Sequence, residues 1–441
     1  MSCGNESNSG GIVDPIPDAA VNLTPTDELV LCFPEWHSRD LQRGINIFKQ
    51  LYPNVNVVVE FVEWGANGHD TYTQQVNTEL MAGAGADVVM ADSIFFNDLY
   101  KTVDTGAFLN LSSVMDEDDD FYIENFYKPI FDAGLYKNGR YFVPLSFDLD
   151  LLTYIPSVLE SIEFDLSKNS NMVSFFEELA ACLPKLKENP SFEYAFSRFP
   201  FLEIAFNYAG ISLVDYEYKI VIPDEAILQS FCEAYKPYWA IDYQKGRGAW
   251  GDAGGFDSQQ LGRILFGWSY STPYQLAHIR GISEILNTSV EMMMIPNVTG
   301  GVNALLQNAL AISANSQNQL NAWNFIKVML SDQIQTGSYH MGVFNGKLPV
   351  SRSAMQLTVD FIAARGVSIT SGSGAVYSFQ LTPEEHKQTL DIFDNITDCF
   401  IQNQAIYDFF LDSMIPYFQD EKSYDECVAE LKTKLMFYVS E

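Results

Sequence analysis

Apolar and polar positions along the first hundred residues fall into two alternating rhythms. Glu28–Phe33 (ELVLCF) is an apolar run with the length of a buried strand. Across Arg39–Leu51 the residues Leu41, Ile45, Phe48 and Leu51 recur three or four apart, which places them on one face of a helix. Tyr52-Pro53-Asn54 stops that helix, and Val55–Val62 is rich in β-branched residues. Asp70–Ala82 predicts a second helix, closed by Gly83-Ala84-Gly85, and Asp87–Ala91 a third strand. Strands joined through helices pair in parallel, with the helices covering the sheet faces. In such sheets a ligand sits beyond the carboxyl ends of the strands, and Trp36, Trp64 and Asp92 occupy those ends.

The pattern changes character further on. Tyr136–Tyr154 reads as two β-like runs joined through Pro144-Leu145-Ser146-Phe147-Asp148. Ser174–Lys187, Phe201–Ala209 and Ala226–Tyr238 read as helices. Ile264-Leu265-Phe266 predicts a short strand, out of which Gly267-Trp268-Ser269-Tyr270 turns. A Gly pair at Gly300-Gly301 then opens a long apolar segment ending at Ala311-Ile312-Ser313. An amphipathic helix follows, carrying Leu320, Trp323, Phe325, Ile326 and Leu330, with Asn315 or Ser316 as its expected N-cap. A buried strand feeding a packed helix so late in the chain predicts a return to the layer begun at the N-terminus. From Asp391 the chain is helical again, ending in an amphipathic helix over Glu421–Tyr438.

These segments carry a resemblance. The run ALAISANSQNQLNAWNFIKVMLSD resembles the extracellular solute-binding proteins of ABC importers, the large family that includes maltose-binding protein. So do Tyr52-Pro53-Asn54-Val55-Asn56-Val57, Gly85-Ala86-Asp87-Val88-Val89 and Leu348-Pro349-Val350, and the likeness covers most of residues 27–355. It implies an α/β chain with a two-lobe periplasmic-binding-protein-like fold of type II, each lobe a mostly parallel sheet flanked by helices, with a hinge between. Lobe one would hold residues 27–146 and 300–347, and lobe two residues 147–299 and 348–441. The resemblance implies capture of a carbohydrate between the lobes and delivery to ABC permease subunits, by a monomer. A peptide or polyamine ligand, and a sensor or adaptor role for the same clamp, stay open.

Composition narrows the choice. The 441 residues are 47% apolar and 14% aromatic, which is globular, and no apolar run has the length of a bilayer-spanning helix. Against 57 acidic residues stand 25 Lys and Arg, a net charge of −32 that would repel a nucleic-acid backbone. Of the six cysteines, Cys3 sits in a polar leader over residues 1–26, rich in Ser, Asn, Gly and Pro. With the resemblance, that leader reads as the tether of a bacterial lipoprotein whose Cys3 bears the lipid, on the extracellular face of the cytoplasmic membrane. The other cysteines read as buried thiols, with Cys399–Cys427 the pair weighed for a disulfide.

Catalytic and cofactor motifs are thin. Asp116–Asp120 (DEDDD) invites calcium, but Phe121 and Tyr127 stand where an EF-hand needs glycine and glutamate. Gly246–Gly251 matches GxGxxG without a flanking strand or helix, and reads instead as a loop displaying Trp250. There is no HExxH and no GxSxG, and Gly346-Lys347 lacks the earlier Gly of a phosphate loop. Asp148 and Asp150, at i and i+2 of one extended segment, share a side and do not flank a bond as glycosidase carboxylates do. The expectation is a binder with no metal or cofactor.

The expected site follows from strand ends and from the resemblance. Trp268 and Tyr270 stack on a sugar from lobe two, and Trp36 or Trp64 from lobe one, with core packing the alternative for Trp268 and Tyr270. Asp92 and Asp148 accept hydrogen bonds from hydroxyls, Asp148 lying in the crossing loop where maltose-binding protein also carries a sugar-binding carboxylate. Phe147 of that loop, Trp250, and Asn303 with its bidentate amide complete the set.

Overall fold

A computed structural model describes residues 19–440 except 63–67, 92–95, 97, 138, 189–191, 193, 197–201, 245–258, 260, 338–343, 345 and 371–375. The N-terminal half of the first layer follows the hydrophobic rhythm. Strand β1 (Glu28–Pro34) buries Leu29, Leu31 and Phe33 completely. Helix α1 (Ser38–Leu51) turns Leu41, Ile45 and Phe48 inward, β2 (Asn56–Val62) follows, and α2 (Gly68–Met81) leads to the buried β3 (Val88–Met90). The Tyr72 hydroxyl of α2 ties two strands together, donating to the Cys32 carbonyl and accepting from the Met90 amide. After β3 comes the short α3 (Leu99–Asp104), then β4 (Val143–Asp148) and β5 (Asp150–Tyr154).

A second layer begins there. It comprises α4 (Met172–Glu188), β6 (Tyr194–Phe196), α5 (Leu202–Ala209), α6 (Glu225–Gln244), β7 (Ile264–Tyr270) and β8 (Glu291–Met294), while α7 (Gln275–Leu286), between the last two strands, packs Ile279 with Ile155 and Val290 and buries Ala277 in the core of the first layer. The chain returns through β9 (Asn303–Ile312), α8 (Gln319–Leu330), α9 (Asp332–Gln335), β10 (Leu348–Pro349), α10 (Arg352–Arg365), α11 (Pro383–Asp394) and β11 (Asp398–Phe400). It closes with α12 (Gln404–Phe418) and α13 (Tyr424–Ser440).

The first sheet has the order β10–β4–β9–β3–β1–β2, with β11 also on β9, and the second the order β8–β5–β7–β6. Both sheets are mixed where mostly parallel ones were expected. Pairing is parallel for β2–β1–β3, β9–β11 and β7–β6, and antiparallel where β9 meets β3 and β4 and where β5 meets β7 and β8. The reason lies in the route: β9 enters its sheet from the other layer, with no crossover helix to set a parallel direction. Each sheet has its own core, one around Phe33, Phe48 and Trp323, the other around Phe175, Phe196, Phe266 and Tyr235.

The chain passes between the sheets at Leu149, between β8 and β9, and between β11 and α12. The three passages are adjacent, since Asn303 of β9 is opposite Asp398 of β11, and Leu305 of β9 is opposite Asp148 of β4. Leu348 and Pro349, where the final crossing was expected, pair with Phe147 and Ser146 of β4, and β11 pairs with β9 in the same sheet.

Local expectations differ in three further places. Helix α8 starts at Gln319, with Asn318 as its N-cap and no side-chain cap bond. Asn315 and Ser316 precede it, and the Ser316 hydroxyl instead donates to the buried Asp87 carboxylate at 2.6 Å. That carboxylate also accepts from the Val30 and Asn318 nitrogens, so it fastens the start of α8 to β1. Strand β7 does not turn at Gly267; a Cβ there would come 2.4 Å from Thr153 Oγ1, so the glycine allows close strand approach. Residues 19–26, expected within the tether, lie against α8, where Gln319 and Asn321 hydrogen-bond Asn22, Ala20 and Thr26. Cys399 and Cys427 are free thiols.

Asp118 of the acidic run is committed to packing. It accepts from Trp323 Nε1 at 2.7 Å and Lys327 Nζ at 2.6 Å. Among the described residues no helix is long and apolar enough to cross a membrane.

Candidate functional site

The break between β4 and β5 sends two neighbouring carboxylates to different sheets. Asp148 ends β4 and Asp150 opens β5, with only Leu149 between them. The i,i+2 spacing that would align them on one strand therefore separates them. Both are buried, at 5% exposure each, and a buried carboxylate needs donors.

Asp148 finds one across the sheet. Leu348 pairs antiparallel with Phe147, so the preceding Lys347 falls opposite Asp148, and its Nζ stands 2.5 Å from Asp148 Oδ2. Asp150 finds one in the second layer, where Trp268 Nε1 donates to Asp150 Oδ2 at 2.8 Å. Strand β7 pairs with β5 in the register Trp268–Leu152 and Tyr270–Asp150, which brings that indole to the crossing.

Beside this pair lies a histidine. His37 closes the 3-10 turn Glu35–His37 just beyond β1. Asn308, at an irregularity of β9, donates from Nδ2 to His37 Nε2 at 3.1 Å and accepts from the Ser146 hydroxyl at 2.7 Å. Phe344 packs edge-on against the imidazole at 5.3 Å. Burial first, and the Lys347 ammonium second, push the His37 pKa down to about 4, so the ring is neutral near pH 7. An ion pair, a neutral imidazole and a tryptophan-held carboxylate thus line the point where the chain changes sheets.

The expected site residues fall into three groups. Asp148 stands at the crossing, as does the backbone of Tyr270, opposite Asp150, and the backbone of Trp36, next to His37. The side chains of Trp36 and Tyr270 lie outside the described residues, as do Trp64, Asp92, Trp250 and Cys3 altogether. Trp268, Phe147 and Asn303 are buried. Trp268 packs edge-on against Phe196 and Tyr208 in the second core, and Phe147 is wholly enclosed in the first. Asn303 spends its amide internally, donating to the Tyr208 carbonyl at 3.1 Å and accepting from Asn297 at 2.9 Å. It borders a cavity of about 490 Å³ at the junction of the layers, whose walls include Asp98, Tyr100, Tyr216 and Asn403.

Lys347, His37 and Asn308 were not among the expected site residues. Lys347 and Asp148 are 199 positions apart, and His37 and Asn308 are 271 apart. No local pattern announces such pairs; the first exists only through the antiparallel pairing of β10 with β4.

Comparison with known proteins fits this architecture. The family of bacterial extracellular solute-binding proteins matches residues 37–336. No curated protein sequence matches the chain. Among solved structures, the sugar-binding protein MalE from Xanthomonas citri is 14% identical with a TM-score of 0.65, over 94% of this chain and 97% of that one. The ABC substrate-binding protein of Listeria monocytogenes, solved with cycloalternan, is 12% identical with a TM-score of 0.57, over 94% and 99%. The cyclic alpha-maltosyl-1,6-maltose binding protein of Arthrobacter globiformis is 12% identical with a TM-score of 0.58, over 93% and 98%. At these identities the structural likeness speaks for the fold, a two-lobe one of the periplasmic-binding-protein kind. The family match spans well over half of the chain and includes strands of both sheets, so the chain belongs to the bacterial extracellular solute-binding proteins.

Proposed function

We propose that this protein captures a carbohydrate between its two lobes and delivers it to an ABC permease, without chemical turnover of the ligand. The observation that carries the reading is the split of Asp148 and Asp150 between the two sheets at the crossing. A polyol offers several hydroxyl donors to carboxylates held in that way, and its C–H faces pack on aromatic rings. Similar folds solved with cycloalternan, or named for cyclic maltosyl-maltose, support an oligosaccharide. In this reading Asp148 and Asp92 accept from hydroxyls, and Trp36, Trp64, Trp250 and Tyr270 supply platforms. Trp268 acts by holding Asp150, while Phe147 and Asn303 belong to the scaffold. The lobes follow the sheets, one built from residues 19–148 and 303–400, the other from 150–298 and 404–440. Cys3 bears the lipid that keeps the protein on the outer face of the cytoplasmic membrane.

A cationic ligand, such as a polyamine or a peptide amine, is the second reading, favoured by the net charge of −32. Lys347 weighs against it, because its ammonium already neutralises Asp148 at the crossing.

The test is titration calorimetry against malto-oligosaccharides, cyclic oligosaccharides, peptides and polyamines, repeated with Asp148→Asn and Tyr270→Ala. For the sugar that binds, each variant is expected to lose roughly fivefold to a hundredfold in affinity, about 1–3 kcal/mol. Undiminished affinity in both folded variants would remove this site, and binding of polyamines but of no sugar would install the second reading.

A further inference from the structure

On the side of the junction formed by α3, a single carboxylate joins elements of both layers. Asp98 caps α3, accepting the Lys101 amide on Oδ1 at 3.0 Å. Its other oxygen, Oδ2, accepts from the hydroxyl of Tyr216 at 2.5 Å and from that of Tyr438 at 2.7 Å. Leu99 and Val103 of α3 belong to the first core. Tyr216 lies in the turn between Val214–Asp215 and Ile220–Val221, and Val214 and Ile222 belong to the second core. Tyr438 is on α13, which packs on α12 in that same second core.

Further bonds converge on the same point. Asn403, the N-cap of α12, donates to the Tyr216 hydroxyl at 2.9 Å. Lys101 Nζ donates to the Tyr438 carbonyl at 2.6 Å and stands 3.8 Å over its ring. The Tyr216 ring lies 5.5 Å from that of Tyr100 on α3 and 6.4 Å from that of Tyr136. The cavity of about 490 Å³ runs alongside, bounded by Asp98, Tyr216 and Asn403, so these groups are not locked by close packing on every side.

We propose that Asp98, with Tyr216 and Tyr438, is a latch between the lobes that sets their resting arrangement in the ligand-free protein. A carboxylate at 7% exposure is stable only while donors reach it. Here two of the three donors come from the opposite layer. When the lobes separate at this face, Asp98 loses both phenols together and must be hydrated instead. The junction therefore has two discrete states, bonded or wetted, and no favourable intermediate. Such a device biases a hinge at a point remote from the ligand and taxes or favours binding by population alone.

The proposal rests on the two-lobe fold and not on the identity of the ligand, so its test uses none. Donor and acceptor dyes on introduced surface cysteines, one in each lobe, report the lobe-to-lobe distance by single-molecule energy transfer. In Tyr216→Phe/Tyr438→Phe the latched state keeps a buried carboxylate without its phenol donors, while the wetted state loses nothing. The ratio of the two distance populations is expected to shift by about fivefold or more relative to wild type. A wild-type distribution in the folded double variant overturns the proposal, also when its melting temperature has dropped, since the phenols then serve stability alone. Should the double variant fail to fold, Asn403→Ala and Tyr438→Phe singly are measured in the same way, and unchanged distributions in both again overturn it.

Discussion

His37 shows what a single buried side chain contributes and how it can be read out. Its imidazole is 7% exposed, accepts from Asn308 and faces the Lys347 ammonium and the edge of Phe344. Burial, with Lys347 next, brings its pKa from an ordinary 6.5 to about 4. Between these values the unfolded chain binds a proton that the native state refuses. The contribution to stability is thus intact above pH 6.5 and is lost as the pH falls toward 4. His37→Gln removes this component. Its unfolding free energy, followed by denaturant titration at pH 7 and pH 4, should fall less steeply than wild type by about 2–3 kcal/mol. An equal fall in both proteins would show that His37 titrates normally. At this scale the sequence marked Asp148 through its place in a crossing loop. It could not mark Lys347 or Asn308, because their roles exist only once strands far apart in sequence have paired.

Among elements, the short helix α9 bears more than its length suggests. Gln335 at its end is completely buried. Its Nε2 donates to the carbonyls of Leu145 on β4 and Met329 on α8, and its Oε1 accepts from the Val350 amide just past β10. One amide therefore holds β10 in the register that sets Lys347 against Asp148. Gln335→Leu keeps the volume but strands these backbone groups, and should cost about 2–4 kcal/mol in denaturant unfolding. It should also lower affinity for the ligand, since the ion pair would lose its alignment. A neutral effect on both would show that β10 is held by other means. Helix and strand identities were legible because hydrophobic periods of 3.6 and 2 are local properties. The N-cap of α8 and the run of β7 through Gly267 were not, because Asp87 claims Ser316 and Thr153 closes on Gly267 from elsewhere in the fold.

For the whole molecule, the imbalance of 57 acidic to 25 basic side chains loads the folded state with mutual repulsion. Salt shortens the range of that repulsion, from about 30 Å at 0.01 M to about 10 Å at 0.1 M. The melting temperature should therefore rise by roughly several degrees between 10 and 300 mM sodium chloride at pH 7, as screening relieves the compact state. A fall over that range would mean that the ion pairs, such as Lys347–Asp148, outweigh the repulsion.

The amino-acid sequence alone set out the succession of strands and helices, and thereby the α/β class. Burial of an apolar face is dictated residue by residue, and its rhythm survives in the unfolded chain. It also determined the family, because segments such as ALAISANSQNQLNAWNFIKVMLSD keep their order and spacing along the chain. The packed structure was needed to show that the sheets are mixed and that β10 and β11 both lie in the first of them. It alone gave Asp148 to Lys347, Asp150 to Trp268 and Asp98 to two tyrosines of the opposite layer. The reason is that a buried carboxylate takes whichever donor the packed layers bring within hydrogen-bond reach, and that choice leaves no period in the sequence.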